Sequence, residues 1–480
     1  MKKRELCALT VEEAAPLLRS REISPVELTR AVLDRIEELD PKLNAFTTVC
    51  REEAERRAAE AEREIRSGFY RGPLHGIPIG VKDLYDTAGI RTTYGSGMFR
   101  DHVPERDSHI VTRLKEAGAV IVGKTATHEL GLGLTTNNYF FGPTRNPWNL
   151  DHVPGGSSGG SGAAVAADLC LAATGSDGGG SIRFPSVWCG CFGLKPTVGL
   201  VSNRGEFGRE GSSLAVAGPI AKSVPDLAIL LRAMAGFDPE DPWSMRVPVP
   251  NYFEELDRDL DELRVGVYPE HFGVSLDPDV ECAYRAALAS LEALGAEIAP
   301  VRFPHAEKVL GALFTAMGAE GLPWFRELER TRKLEFGPET EPLVAMARAF
   351  TIEDIVRGSV DRRLVTRDWE LVFHAVDVVV LPTAPIPAPR IGEEKRVVDG
   401  TEVWLPEICA RFTAPANLAG LPAVAVPAGL SAEGLPVGVQ FVGSRFSEAR
   451  LLALAQRFVE AAPGLRELRS PLSAWRPRRP

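Results

Sequence analysis

Two glycine–serine runs constrain this chain more than anything else in it. The first is Gly155-Gly156-Ser157-Ser158-Gly159-Gly160-Ser161. The second, Asp177-Gly178-Gly179-Gly180-Ser181-Ile182-Arg183-Phe184-Pro185, places Ser181 24 residues after Ser157. A run of this kind on its own reads as a flexible surface loop. The second run, however, leads directly into Ile182, Phe184 and Val187-Trp188-Cys189, so its glycines enter a core. Glycine lacks a Cβ and tolerates positive φ, which lets the N–H groups of Gly178, Gly179, Gly180 and Ser181 converge on one oxygen. Between the runs, residues 161–172 are rich in Ala and Gly and predict a close-packed helix. A strand at 171–175 then delivers the turn.

A third piece lies upstream, Gly76-Ile77-Pro78-Ile79-Gly80-Val81-Lys82-Asp83. Its apolar run reads as a buried strand that ends on Lys82. Cleaving an amide takes a nucleophile, a base to hold its proton and donors for the oxyanion. A lysine serves as the base only when neutral, and burial disfavours the ammonium form. The competing reading of Lys82 is an ordinary lysine paired with Asp83.

In this order and spacing the three pieces resemble the amidase signature family, serine hydrolases built on a Ser–Ser–Lys triad. The resemblance implies Ser181 as nucleophile, Ser157 as the relay with a cis peptide bond before it, and Lys82 as base. From the residues alone Ser158 and Ser161 stay open as alternatives for the relay. The amides of Gly178, Gly179 and Gly180 are expected to form the oxyanion hole with that of Ser181. Asp177 and Arg183 bracket the nucleophile and read as a loop-fixing ion pair, with Ser158 close by. The family pattern has Thr where this chain has Gly178. The resemblance is densest over 72–235 and returns at Leu421-Pro422-Ala423 and Gly434–Gln440. It implies one α/β/α domain over residues 1–480, with a large mixed central sheet covered by helices on both faces. Residues 1–70 supply N-terminal helices, 72–235 the signature core, and 300–370 a variable region that covers the substrate.

Composition narrows the partners. A formal net charge of −10 gives no basic footprint for nucleic acid. Seven scattered cysteines and no secretory signal at Met1-Lys2-Lys3-Arg4 point to a reducing cytoplasm. Cys189-Gly190-Cys191 has no second ligand pair, so no metal is expected, and the triad needs no cofactor. No apolar run reaches the roughly 18 residues of a membrane span. None of the eight histidines, His128 among them, stands in a context that would support a Ser–His–Asp triad. The short basic tail Arg476–Arg479 reads as solvated.

Capping boxes at Thr10-x-x-Glu13 and Ser24-Pro25-x-Glu27 predict helices over 11–20 and 25–39, and a charged helix follows at 48–67. Further strands are predicted at 77–82, 119–122, 263–268, 297–301, 376–381 and 437–442, with helices at 107–117, 278–294 and 447–461. Around 240 the composition shifts and prolines gather, which the single-domain resemblance makes a pause in one sheet.

The substrate is the least legible part. Met98, Tyr139, Phe140, Phe141, Phe184 and Trp188 lie near the motifs and suggest an apolar acyl pocket, of which Met98, Tyr139 and Phe184 are the candidates retained. They favour an apolar acyl or aryl amide, or a carbamate, as a small-molecule substrate. The alternative is the glutaminase subunit of a tRNA-dependent amidotransferase. Those subunits typically carry glutamine where this chain has Phe184. A phosphate-cradling reading of 155–162 lacks the Walker lysine. The resemblance leaves a homodimer open.

Overall fold

The computed structural model describes residues 2–473 except 209–211, 332, 399 and 467; the tail Arg476–Arg479 lies outside them. One eleven-stranded mixed sheet runs through the molecule. Its strands are β1 (Phe46–Val49), β2 (Pro78–Lys82), β3 (Val120–Thr125), β4 (Ala172–Asp177), β5 (Phe192–Lys195) and β6 (Val216–Ala221), then β7 (Arg264–Val267), β8 (Glu297–Pro300), β9 (Val378–Pro382), β10 (Ala423–Leu430) and β11 (Pro436–Gly443). The order across the sheet is β1-β3-β2-β4-β6-β5-β10-β11-β9-β7-β8. The strands after residue 240 therefore extend the same sheet, as a pause within one domain requires.

The central strands are buried residue after residue, and successive side chains enter opposite faces with the two-residue period of a sheet covered on both sides. Val378 and Val380 of β9 enter one hydrophobic cluster, while Val379 and Leu381 enter the other. The pattern repeats on β10, where Val424 and Val426 face the first cluster and Ala423 and Ala425 the second. Helices Val11–Ser20, Pro25–Leu43, Val224–Met234, Pro278–Ala293 and Glu448–Ala461 close the first face. Helices Val309–Thr331, Ile352–Ala375 and Leu405–Leu418 close the second. Among the described residues no helix is long and apolar enough to cross a membrane.

Two predicted helices differ. The expected 48–67 helix is split, because Phe46–Val49 joins the sheet edge antiparallel to β3 and the helix proper is Arg51–Arg66. The Ala/Gly helix runs Gly159–Ala166, stopping six residues before the predicted end, because Asp168 turns into the left-handed region at φ 61°.

A buried acid links two helices on the first face. Asp226 accepts the Glu12 N–H at 2.9 Å, at the start of helix Val11–Ser20. Burial pushes its carboxyl from 3.8 up to about 7, against the lowering effect of backbone N–H donors. A carboxyl raised in the folded state contributes stability below about pH 4 that is lost as pH rises to about 7. Asp226→Asn removes the titration, so the variant should gain on the parent by up to roughly 1.4 kcal/mol per pH unit across that window. Thermal unfolding of both proteins from pH 4 to pH 7 checks this; a constant difference in Tm would refute it.

Candidate active site

The sheet sets the site's position. β2 and β4 are parallel neighbours, and the functional side chains sit at and just beyond their carboxyl ends, the usual ligand side of such strands. Lys82 is the last residue of β2, and Ser181 stands in the turn that follows β4. Ser157 precedes helix Gly159–Ala166, whose glycines let it pass between neighbouring backbones. A Cβ on Gly160 would lie 2.3 Å from the Ala126 nitrogen and 2.5 Å from the Ala45 oxygen.

Lys82 is fully buried. Its Nζ donates to Ser157 Oγ at 2.8 Å and lies 3.5 Å from the Ser176 carbonyl. Its backbone N–H is held by Thr174 Oγ1 at 2.9 Å. Asp83 looks elsewhere: its carboxylate accepts the Thr47 hydroxyl at 2.8 Å and the Thr93 N–H at 3.2 Å, with Lys124 acting on it. The hydroxyls expected to compete as relay have other work. Ser161 Oγ is bonded to Thr125 Oγ1 and donates to the Thr174 carbonyl, and Ser158 Oγ lies between Ser176 O and Ser176 N. The Gly156–Ser157 peptide is cis. The Ser157 carbonyl accepts the His128 N–H at 3.0 Å and the Thr127 hydroxyl at 2.9 Å.

The turn that carries Ser181 is fastened from below by a fully buried ion pair. Arg183 Nε donates to Asp177 Oδ2 at 2.9 Å, and neither side chain reaches solvent. Arg183 also donates to the Thr413 carbonyl, Gln440 Oε1 and Asn417 Oδ1. Burial pushes the Asp177 carboxyl up, but the Arg183 guanidinium outweighs it and holds the group well below the usual carboxylate range. Asp177 in turn accepts the Gly180 N–H at 2.7 Å and the Ile182 N–H at 3.2 Å.

The expected donor set is corrected by these bonds. The Gly180 N–H is spent on Asp177, whereas those of Gly178, Gly179 and Ser181 have no acceptor among the described residues. All three of those residues line a cavity of about 200 Å³ together with Ser157. Gly180 serves by shape instead: φ is 127°, and a Cβ there would lie 2.2 Å from the Phe184 ring. Ser176, beside Asp177, donates its hydroxyl to Glu206.

The cavity walls come from three parts of the chain. The signature core supplies Leu134 and Phe184, the 309–343 region Leu313 and Met317, and a later segment Trp404 and Leu405. Leu313, Met317, Glu339 and Leu343 thus bring part of residues 300–370 to the cavity wall, while the contribution of 393–410 was not legible in the sequence. Of the six aromatic and methionine candidates, Phe184 alone lines the cavity. Met98 packs into a satellite cluster with Leu84, Tyr94 and Phe99. Tyr139 is 66% exposed, because Asn138 pins its own side chain to the Gly95 and Thr127 carbonyls and tips the next residue outward. Trp188 stacks behind Phe184 at 5.5 Å and donates to the Ile386 carbonyl.

Sequence reasoning also missed two polar wall residues, His128 and Glu339. His128 sits in the loop after β3, close to a second glycine pair, Gly131 and Gly133, which could have marked it. Among the described residues no group of three or more His, Cys, Asp or Glu gathers as metal ligands.

Comparison with known proteins identifies the family. A family profile described as Amidase matches residues 27–452. A glutamyl-tRNA(Gln) amidotransferase subunit of Geobacter metallireducens is 41% identical, covering 95% of this chain and 98% of that protein. Among solved structures, an aryl acylamidase of the amidase signature family superposes with a TM-score of 0.89 at 28% identity, over 98% of this chain and 99% of that one. A vestigial protein complex described as revealing the origins of an s-triazine catabolic enzyme gives 0.88 at 33%, over 95% and 98%. A buried lysine bonded to a serine after a cis peptide, a glycine turn carrying a second serine and a match over most of the sequence lead to one conclusion: the chain belongs to the amidase signature family and is an enzyme acting on amide C–N bonds.

Proposed function

We propose that the chain cleaves carboxylic amides through an acyl-enzyme on Ser181. The observation that carries this is the 2.8 Å bond from Lys82 Nζ to Ser157 Oγ at the edge of a cavity that Ser181 lines. Ser181 Oγ attacks the amide carbon while its proton passes through the Ser157 hydroxyl to Lys82. The oxyanion meets the N–H groups of Gly178, Gly179 and Ser181. The relay returns the proton to the leaving nitrogen, the C–N bond breaks, and water hydrolyses the ester by the same route.

For the substrate, the relatives favour the side-chain amide of glutamine over the apolar amides expected from the sequence. Similarity to a glutamyl-tRNA(Gln) amidotransferase component extends over nearly the full length of both chains, which weighs more than one exchanged side chain at position 184. On this reading the chain releases ammonia for a companion protein in a tRNA-dependent complex, so its partners go beyond a small molecule. A second reading, an apolar acyl amide or carbamate, is supported by the wall itself. Leu134, Phe184, Leu313, Met317 and Leu405 face the substrate, and no Lys or Arg among the described lining residues stands ready for the carboxylate of glutamine.

Purified protein assayed with glutamine, acyl anilides of increasing length and an aryl carbamate separates the two readings, with Ser181→Ala as background. Serine-dependent ammonia release from glutamine supports the amidotransferase reading. Turnover of anilides or carbamate without glutamine supports the second. No serine-dependent turnover, alone or with the other amidotransferase components co-expressed, would remove both.

A further inference from the structure

Glu339 gives the cavity wall a negative charge that no neighbouring cation among the described residues balances, and we propose that it recognises a protonated amine carried by the substrate. This deepens the amide-hydrolase reading and rests on it for the identity of the cavity. Glu339 lies in the connection between helices Val309–Thr331 and Glu341–Ala349 and reaches across to the signature core. Its Oε2 accepts the Thr135 hydroxyl at 2.8 Å, and its Oε1 accepts the Asn137 side-chain amide at 2.7 Å. Both donors are neutral.

The group facing it is neutral too. His128 Nδ1 accepts the Thr136 N–H at 3.2 Å, so the single proton of a neutral ring sits on Nε2, 3.7 Å from Glu339 Oε2. Burial holds His128 below its ordinary value, with Glu339 opposing and Lys82 assisting. The other charged groups on the wall add no positive charge. Glu393 is already paired with Arg396 at 2.8 Å, and Glu394 is an exposed carboxylate at the mouth. The Glu339 side chain is 21% exposed, so the wall shields part of it from water. A cation brought in by the substrate would restore what desolvation took.

The bland role for Glu339 is a clasp that holds the covering segment down. That role is already filled next door, where Glu129 accepts the Gly337 N–H at 2.7 Å and the Ser96 hydroxyl at 2.8 Å. A clasp also needs no charge. Both substrate readings accommodate an amine: the α-ammonium of glutamine in one, a terminal amine on an acyl chain in the other.

The test compares amides that differ only in the amine, using the full chain. Hexanamide is set against 6-aminohexanamide, and 4-carbamoylbutanoate against glutamine. The expected preference in kcat/KM for the amine-bearing member of the productive pair is roughly 10–100-fold, the range of a charge-assisted contact. In Glu339→Gln that ratio should collapse to about threefold or less, whereas a clasp would lower both members equally. Serine-dependent hydrolysis with no amine preference overturns the proposal and leaves the amide-hydrolase reading standing. If no member of either pair is cleaved, the anilide and carbamate panel decides the hydrolase reading separately and binding decides the amine question. Calorimetric titration of Ser181→Ala should then show n-hexylamine binding about tenfold more tightly than n-hexanol, with Glu339→Gln abolishing the difference. Equal binding of the two overturns the proposal.

Discussion

Ser181→Ala is expected to lower turnover by on the order of 10⁴ to 10⁶-fold while leaving the fold intact. The backbone of Ser181 is what the structure uses: its carbonyl accepts the Ser158 N–H at 3.3 Å, and the residue lines the cavity. Alanine keeps that backbone, so Tm should move by no more than a degree or two. Lys82→Met should cost nearly as much, since the relay depends on its bond to Ser157, and adding it to Ser181→Ala should cost little more. Residues that act as a unit are not additive. Kinetics on the best amide from the panel, together with intact-mass detection of a fluorophosphonate adduct, measure this. A loss below about tenfold, or labelling undiminished in the alanine variant, would show that the nucleophile is elsewhere.

The second large effect is on stability. Arg183→Met should destabilise the protein by roughly 3–5 kcal/mol, because it strands the Asp177 charge in a fully buried site. The sign with pH follows. With Arg183 present the Asp177 carboxyl is held below its ordinary 3.8, so the pair stabilises above that value and its contribution fades as acid protonates the carboxyl. Without Arg183 the largest lowering influence is gone and burial is opposed by Lys195 and by the Gly180, Ile182 and Asn417 donors, so the carboxyl rises relative to the parent and the variant should be least handicapped at acidic pH and most handicapped near neutrality. Asp177→Asn added to Arg183→Met should recover much of the loss, since removing both charges of a buried pair is far milder than removing one. Urea midpoints at pH 5 and pH 8 read all of this. A shift below about 0.5 kcal/mol in the single variant would mean that the pair does not hold the turn.

What was legible in the sequence is what is local or periodic. The apolar run ending on Lys82, the triple glycine before Ser181 and the strands at 376–381 and 437–442 announce themselves in a few consecutive residues. Asp177 and Arg183 are six residues apart, and their opposite charges on either side of Ser181 mark them as a pair. Direction is different: Met98 and Tyr139 lie close in sequence to the motifs yet turn away from the cavity, because Asn138 and the satellite core decide where they point. Gly180 reads as an oxyanion donor because a glycine needed for shape and one needed for its N–H look alike. Glu339 was beyond reach, since it meets Thr135 across 204 residues of sequence and sits in a region without a recognisable motif.

The route of Arg183 through the fold has a consequence for how such an enzyme comes into being. Lys82, Ser157 and Ser181 all lie in the first two-fifths of the chain, but the acceptors that hold Arg183 include Thr413, Asn417 and Gln440. A chain emerging from a ribosome thus holds the three groups of the proposed mechanism long before it holds the scaffold that aligns them. Two of the three cavity walls are still unmade at that point, as they come from 309–343 and 393–410. Order of synthesis therefore acts as a safety catch: a truncated or half-made product carries the reagents of an amide hydrolase without the means to aim them.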